Sequence, residues 1–136
     1  MNKKKTKFKP ILAIIPVIII VAASVLFFYL RRVDDYQKTV AAITYSGVVV
    51  SAVPDGTYTG ECDVGLIYAK VEVTVKDGVI TRIDLLEHRN GRGKPAEGIE
   101  QRIIEQQRID VDAVSGATNS SIVIKKAVDN ALSMAN

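Results

Sequence analysis

Ile11 to Leu30, ILAIIPVIIIVAASVLFFYL, runs for twenty residues without a charged side chain, and no other feature restricts this chain as much. At ~1.5 Å of rise per residue, a helix of that length crosses a ~30 Å hydrocarbon core. A helix is also the one open-ended segment that satisfies its own backbone there. Pro16 removes one N–H near the start, which membrane helices tolerate. The 136-residue chain then retains enough length for one modest globular domain. The expected division is a basic tail over residues 1–10, a transmembrane helix over 11–30, a connector over 31–53 and the working domain over 54–136. The polar start of the connector, VDDYQKT, is able to prolong the membrane helix by a few turns.

Charge sets the expected orientation. Lys3, Lys4, Lys5, Lys7 and Lys9 precede the apolar run, whereas Arg31, Arg32 and Lys38 follow it more sparsely. The positive-inside rule places the N-terminus in the cytoplasm and the domain outside, on a single-pass anchor in the cell membrane. The rival reading is a cleaved signal peptide, with Ala22-Ala23-Ser24 as the small-residue site. Val25 to Leu30 carries the apolar run past that site, and no cysteine closes it in the manner of a lipoprotein signal. The formal charge of +3 is concentrated in the tail: beyond Leu30, 13 Lys and Arg face all 15 Asp and Glu, a net −2. A basic face for nucleic acid is therefore not expected on the domain. The single Cys62 allows no intrachain disulfide and reads as a small core residue on a strand. A core this small gains from a cofactor or a partner.

Pro54-Asp55-Gly56 is a turn signal. Thr57 to Cys62 reads as a short strand. Ile67 to Lys76 alternates, with Val71, Val73 and Val75 on one face and Lys70, Glu72, Thr74 and Lys76 on the other. Asp77-Gly78 is a two-residue hairpin signal, after which Val79 to Glu87 runs back. His88 to Lys94 is a basic, glycine-containing loop. Pro95 suits the first turn of a helix that reaches about Gln107, with Ala96, Ile99 and Ile103 on its inner face. A closing helix over about Ser120 to Met134 aligns Val123, Ile124, Ala127, Val128, Ala131 and Leu132. Strands first and helices after imply an α+β fold, a small antiparallel sheet with helices on one face, preceded by the one transmembrane helix.

Hydrolytic and metal motifs are missing: the sequence has no G-x-S-x-G, S-x-x-K, H-E-x-x-H, Walker A or paired-cysteine pattern, and His88 is its one histidine. Neither a catalytic residue nor a metal ligand set is assigned. What remains is Asp112-Ala-Val-Ser115-Gly116-Ala117-Thr118-Asn119-Ser120-Ser121, a loop of small residues that opens into an amphipathic helix. Gly116 permits a turn and a close approach. Ser115, Thr118, Asn119 and Ser120 offer polar groups at a helix start, which favours phosphate through free N–H groups and the dipole. The plainer reading makes Thr118, Asn119 or Ser120 an N-cap with no ligand.

Asp112-x-x-Ser115-Gly116-Ala117-Thr118 resembles the flavinylation motif of the FMN-binding domain family. That family includes the covalent-FMN subunits of sodium-translocating NADH:quinone reductase and of the related ion-translocating ferredoxin oxidoreductase, as well as small anchored envelope domains. The likeness extends over Asp55-Gly56-Thr57-Tyr58-Thr59-Gly60, the Lys76 to Ile80 hairpin, the Leu86-Glu87-His88 strand end and the closing helix. His88-Arg89-Asn90-Gly91-Arg92-Gly93 departs from the Glu-Thr-x-Gly-type segment of the large complexes, so the likeness is to the small stand-alone members.

The resemblance implies FMN joined to Thr118 by a phosphoester bond, supplied from FAD by a separate flavin transferase. Ser115, Gly116, Ala117, Asn119 and Ser120 would surround the phosphate region. Asp112 would organise the loop or aid recognition by the transferase. Tyr58 and His88 are candidates to pack near the flavin ring, and Arg92, with Arg89 or Lys94, to supply positive charge. The function so implied is an electron-transfer relay between an unidentified donor and acceptor, a redox subunit more than an independent enzyme. Two alternatives stand beside it: a non-redox interaction module of the bacterial cell envelope, and a domain that holds FMN non-covalently for a reductase activity.

Overall fold

The computed structural model describes residues 11–135, and the basic tail expected over residues 1–10 lies outside the described residues. The chain forms two compact units, Met1–Asp35 and Tyr36–Asn136. The first holds most of α1, Ile11–Ala41, a 31-residue helix with Pro16 inside it. Its side chains from Leu12 to Leu30 are exposed. An 18-residue stretch of it has a mean hydropathy of 2.8, and its length and composition suffice to cross a membrane. The helix does not stop at Leu30, because VDDYQKTVA contains no glycine or proline to end it.

The second unit is built on a three-stranded antiparallel sheet in the order β1 (Gly56–Asp63), β2 (Tyr68–Lys76), β3 (Val79–Arg89). The hairpin forms at Asp77-Gly78, where φ is +53° and +72°. Two successive positive φ values are what a type I′ turn requires, and they match the twist of the flanking strands. On β2, Ala69, Val71, Val73 and Val75 point inward and are buried.

β3 breaks the alternation twice. Lys70 faces Glu87 but Val71 faces Leu85, and Thr74 faces Arg82 but Val75 faces Ile80. Leu86 and Thr81 are therefore extra residues on β3, each a bulge that flips the strand's facing. Ile80 and Ile83, three apart, consequently both reach the core. His88 pairs with the buried Ala69, and its side chain is only 2% exposed.

Helices cover the inner face of the sheet. The single helix expected from Pro95 is instead a 3-10 turn, Lys94–Gly98, followed by α2, Ile99–Gln106. Gly98 at the junction weakens the helical start. Ala96, Ile99 and Ile103 are fully buried, as their spacing implies. Gln107 ends α2 at φ +50°. Its side-chain amide accepts a hydrogen bond from Ile80 N at 2.8 Å and donates to Ile80 O at 2.9 Å, extending the edge of β3 by one pairing.

α3, Thr118–Ser133, lies across β1 and β2, starting two residues before the expected Ser120. The predicted stripe from Val123 to Leu132 is fully buried. Gly60 makes the close approach possible, since a Cβ there would meet Ala127 O and the Ala131 backbone, with Ala131 Cα only 2.8 Å away. Ser120, Ser121, Lys125 and Asp129 are buried as well, so α3 is enclosed on more than its sheet side. The stretch from Ile43 to Val53 provides that cover over Lys125 and Asp129. It contributes Val50 and Val53 to the core and sets the Tyr45 ring 5.0 Å from Lys125 Nζ.

Candidate functional site

The segment from Asp112 to Thr118 is held from below by two side chains. Arg102 Nη1 donates to the carbonyls of Asp112 and Ala113, at 3.1 and 3.5 Å. Ser121 Oγ accepts from Val114 N and donates to Ala117 O, both at 2.9 Å. Ala117 N closes a turn on Val114 O at 3.0 Å. Within that turn Gly116 takes φ +78°, and a side chain there would enter open space. The turn leaves Asp112, Ser115, Gly116 and Thr118 exposed, while Ala117 is buried beneath them.

Capping does not explain these polar residues. The N-cap of α3 is Ala117, which makes no side-chain cap bond, and Thr118 is the first helical residue. Thr118, Asn119 and Ser120 thus lie inside the helix, not at its cap position. Ser121, which also has capping chemistry, is instead used to tie down the loop. The first N–H groups of α3 keep the donor capacity and positive dipole end that suit an anion.

The next two residues bring distant parts of the unit to this turn. Asn119 Nδ2 donates to Tyr36 Oη at 3.0 Å. Ser120 Oγ is buried with no hydrogen-bond partner. Gly93 packs so closely on Ser120 that any side chain at 93 would overlap its Oγ and Cβ. The basic loop is thereby seated against the first turn of α3, with Arg92 and Lys94 exposed on either side of Gly93.

His88 lies under this loop. Its Nδ1 is 3.1 Å from both Glu97 Oε1 and Asn90 Nδ2, and its Nε2 is buried without a partner. Ser120 Oγ, against Gly93, and His88 Nε2 are thus both buried polar atoms without partners. Buried polar atoms without partners are costly, and a polar ligand would relieve that cost.

Other expected residues are engaged elsewhere. Arg89 stacks on the Tyr68 ring at 4.6 Å and sits 3.4 Å from Glu87 and 3.7 Å from Asp63. Tyr58 donates its hydroxyl to Pro54 O at 2.8 Å. It lies two residues before Gly60, which abuts Ala127 and Ala131, so β1 places it toward the far end of α3 from Thr118. Cys62 is half-buried on β1, and burial raises its thiol pKa.

Tyr36 and Arg102 bond to the first turn of α3 and to the loop before it from far along the chain, and no sequence motif marks either. The buried charges of α3 carry no sequence mark either. Lys125 Nζ donates to Val111 O at 2.8 Å and lies 3.3 Å from Asp110. Burial and the Asp110 and Asp129 carboxylates push the Tyr45 phenol up to about 12. Asp129 accepts from Ser46 N at 3.0 Å, Ser46 Oγ at 2.6 Å and Lys126 Nζ at 2.7 Å. Burial works against its charge, but the bonds from Lys126 and Ser46 prevail and hold its pKa below the usual carboxylate value. A cavity of about 470 Å³ lies in this half of the unit, between Val49, Val79, Arg108 and Asp129. It does not include the Asp112 to Thr118 turn.

Chemically, the turn presents an exposed secondary hydroxyl on Thr118 at the positive end of a buried helix. A bulky anionic group would find the amides of the helix start, a glycine at Gly116 facing open space and, two residues beyond Thr118, the unpartnered Ser120 Oγ. The residues present therefore suit a phosphate-bearing cofactor. Comparison with known proteins agrees: the family described as FMN-binding domain matches residues 67–133. The match runs from the residue before β2 to the last residue of α3 and includes the whole turn. No solved structure matches the chain.

Proposed function

Residues 67–133 belong to the FMN-binding domain family, and from that premise we propose that this FMN-binding protein carries its flavin covalently on Thr118 and relays electrons at the outer face of a membrane. The observation that carries the attachment is the exposed Thr118 at an uncapped helix start, on a turn braced by Ser121 and Arg102. In the attachment step Thr118 Oγ1 forms a bond to the FMN phosphorus of FAD. The pyrophosphate bond breaks, AMP leaves with the electron pair, and the hydroxyl proton passes to the flavin transferase or to water.

Thr118 then holds the phosphate as a monoanionic diester, for which the α3 amides and dipole provide compensation. Gly116 lets the backbone approach without a Cβ, and Ser115 lines the exposed rim. Asp112 carries a negative charge, so its part is to shape the loop whose carbonyl Arg102 holds, or to be read by the transferase. When bound, FMN supplies one- and two-electron chemistry, and the protein supplies position and electrostatics. Covalent attachment keeps the ring at a high local concentration where a small domain would otherwise lose it.

The apolar length of α1 supports a membrane anchor, and the lysines before it support an N-terminus inside the cell. Donor and acceptor are then extracytoplasmic or membrane-bound redox partners. Intact-mass measurement of the chain co-expressed with a flavin transferase tests the attachment. The expected result is a mass increase of one FMN less water, absent from Thr118→Val. Flavin released by denaturant, with an unshifted protein mass, would establish non-covalent binding instead.

A further inference from the structure

We propose that Tyr36, in the last turns of α1, is a positioning residue for the flavin ring; this inference rests on the Thr118 attachment proposed above. Tyr36 belongs to the same compact unit as α3, and its hydroxyl accepts a hydrogen bond from Asn119 Nδ2 at 3.0 Å. Asn119 directly follows the attachment residue. The phenol is therefore fixed at the first turn of α3, and its ring is half-buried, leaving aromatic surface open.

The other tyrosines of this unit are committed elsewhere. Tyr45 lies on Lys125, Tyr58 is bonded to Pro54, and Tyr68 is bonded to Glu61 and covered by Arg89. Tyr36 is thus the aromatic side chain that the fold ties to the attachment turn. A phenol has both a flat apolar face and a polar tip. Because its oxygen accepts from Asn119, its own O–H proton remains to be donated, and an isoalloxazine ring offers carbonyl and ring-nitrogen acceptors. A planar ring tethered at Thr118 would find in Tyr36 both a stacking face and a donor.

The contact has a spectroscopic signature, since a phenol touching an excited flavin quenches its emission by short-range electron transfer. The full chain in detergent, co-expressed with a flavin transferase, is compared with Tyr36→Phe and Tyr36→Leu by time-resolved flavin fluorescence, with loading fixed by intact mass. Tyr36→Phe keeps the packing and removes the readily oxidised phenol. The expected result is a severalfold longer mean lifetime in both variants and a short lifetime in Tyr36→Trp. An unchanged lifetime in Tyr36→Phe at equal loading overturns the role of Tyr36 and leaves the Thr118 assignment standing. An unshifted mass in the unsubstituted chain overturns both.

Discussion

The two ends of α3 are built on opposite principles. Toward its C-terminus the helix is locked: Gly60 admits the backbone of Ala127 and Ala131, Asp129 gathers Ser46 and Lys126, and Asn130 donates to Glu61 O at 2.8 Å. Toward its N-terminus it is left open, with an uncapped first turn, an exposed Thr118, a glycine over empty space and an unpartnered Ser120. Stability resides at one end and chemical opportunity at the other. The rigid end also fixes the direction in which the open end presents its amides.

Substitutions should separate these ends. The largest effect is expected for Gly60→Val, which drives a branched side chain into the α3 backbone and should cost about 3 kcal/mol or more. Urea unfolding followed by circular dichroism reads this, and a loss under 1 kcal/mol would mean that the seam is soft.

Asp129→Ala comes next at about 2–3 kcal/mol, because it removes the bonds from the Ser46 amide, the Ser46 hydroxyl and the Lys126 ammonium together. Its pH dependence has a definite sign. The folded pKa of Asp129 is depressed, so its contribution is complete above the unfolded value of about 3.9 and is lost as pH falls through the folded value. Unfolding midpoints at several pH values below 5 should fall more steeply in the unsubstituted chain than in Asp129→Ala.

Ser121→Ala tests the brace between the two ends. It removes the bonds to Val114 N and Ala117 O and should cost about 1–2 kcal/mol. It should also slow flavin attachment, since the turn loses its anchor; attachment at the normal rate would show that Arg102 alone suffices. The smallest stability effect belongs to Thr118→Val, expected within about 0.5 kcal/mol because the side chain is exposed. The same variant should take up no covalent flavin. A large loss of stability there would assign Thr118 to the structure of the turn and not to the ligand.

Local elements were legible wherever their signal is short-range. Asp77-Gly78 specifies its turn by a backbone preference, and the β2 alternation and α3 stripe specify buried faces by period. The helix start was misread by two residues because Thr118, Asn119 and Ser120 all have capping chemistry. What decided the boundary was Ser121, which is used to hold the loop. His88 was expected to open the basic loop, but β3 runs two residues past Glu87 and takes it in; its facing was not legible either, since a bulge at Leu86 leaves no mark in a run of mixed residues.

Lys125 and Asp129 looked like the solvated side of an amphipathic helix. They are buried because the stretch from Ile43 to Val53 lies over them, and a segment that reads as a linker gives no sign of where it will dock.

The sequence by itself determined the apolar helix, the hairpin, the inner faces of β2 and α3 and the small-residue segment from Asp112 to Thr118, because each depends on neighbours within a few residues. Only the tertiary structure decided which face of β3 His88 joins, that Gly93 seats the basic loop on Ser120, and that Tyr36 reaches Asn119. The last contact spans 83 residues, as does the Ser46–Asp129 lock. Contacts of that range arise from packing the whole unit, and no local propensity encodes them.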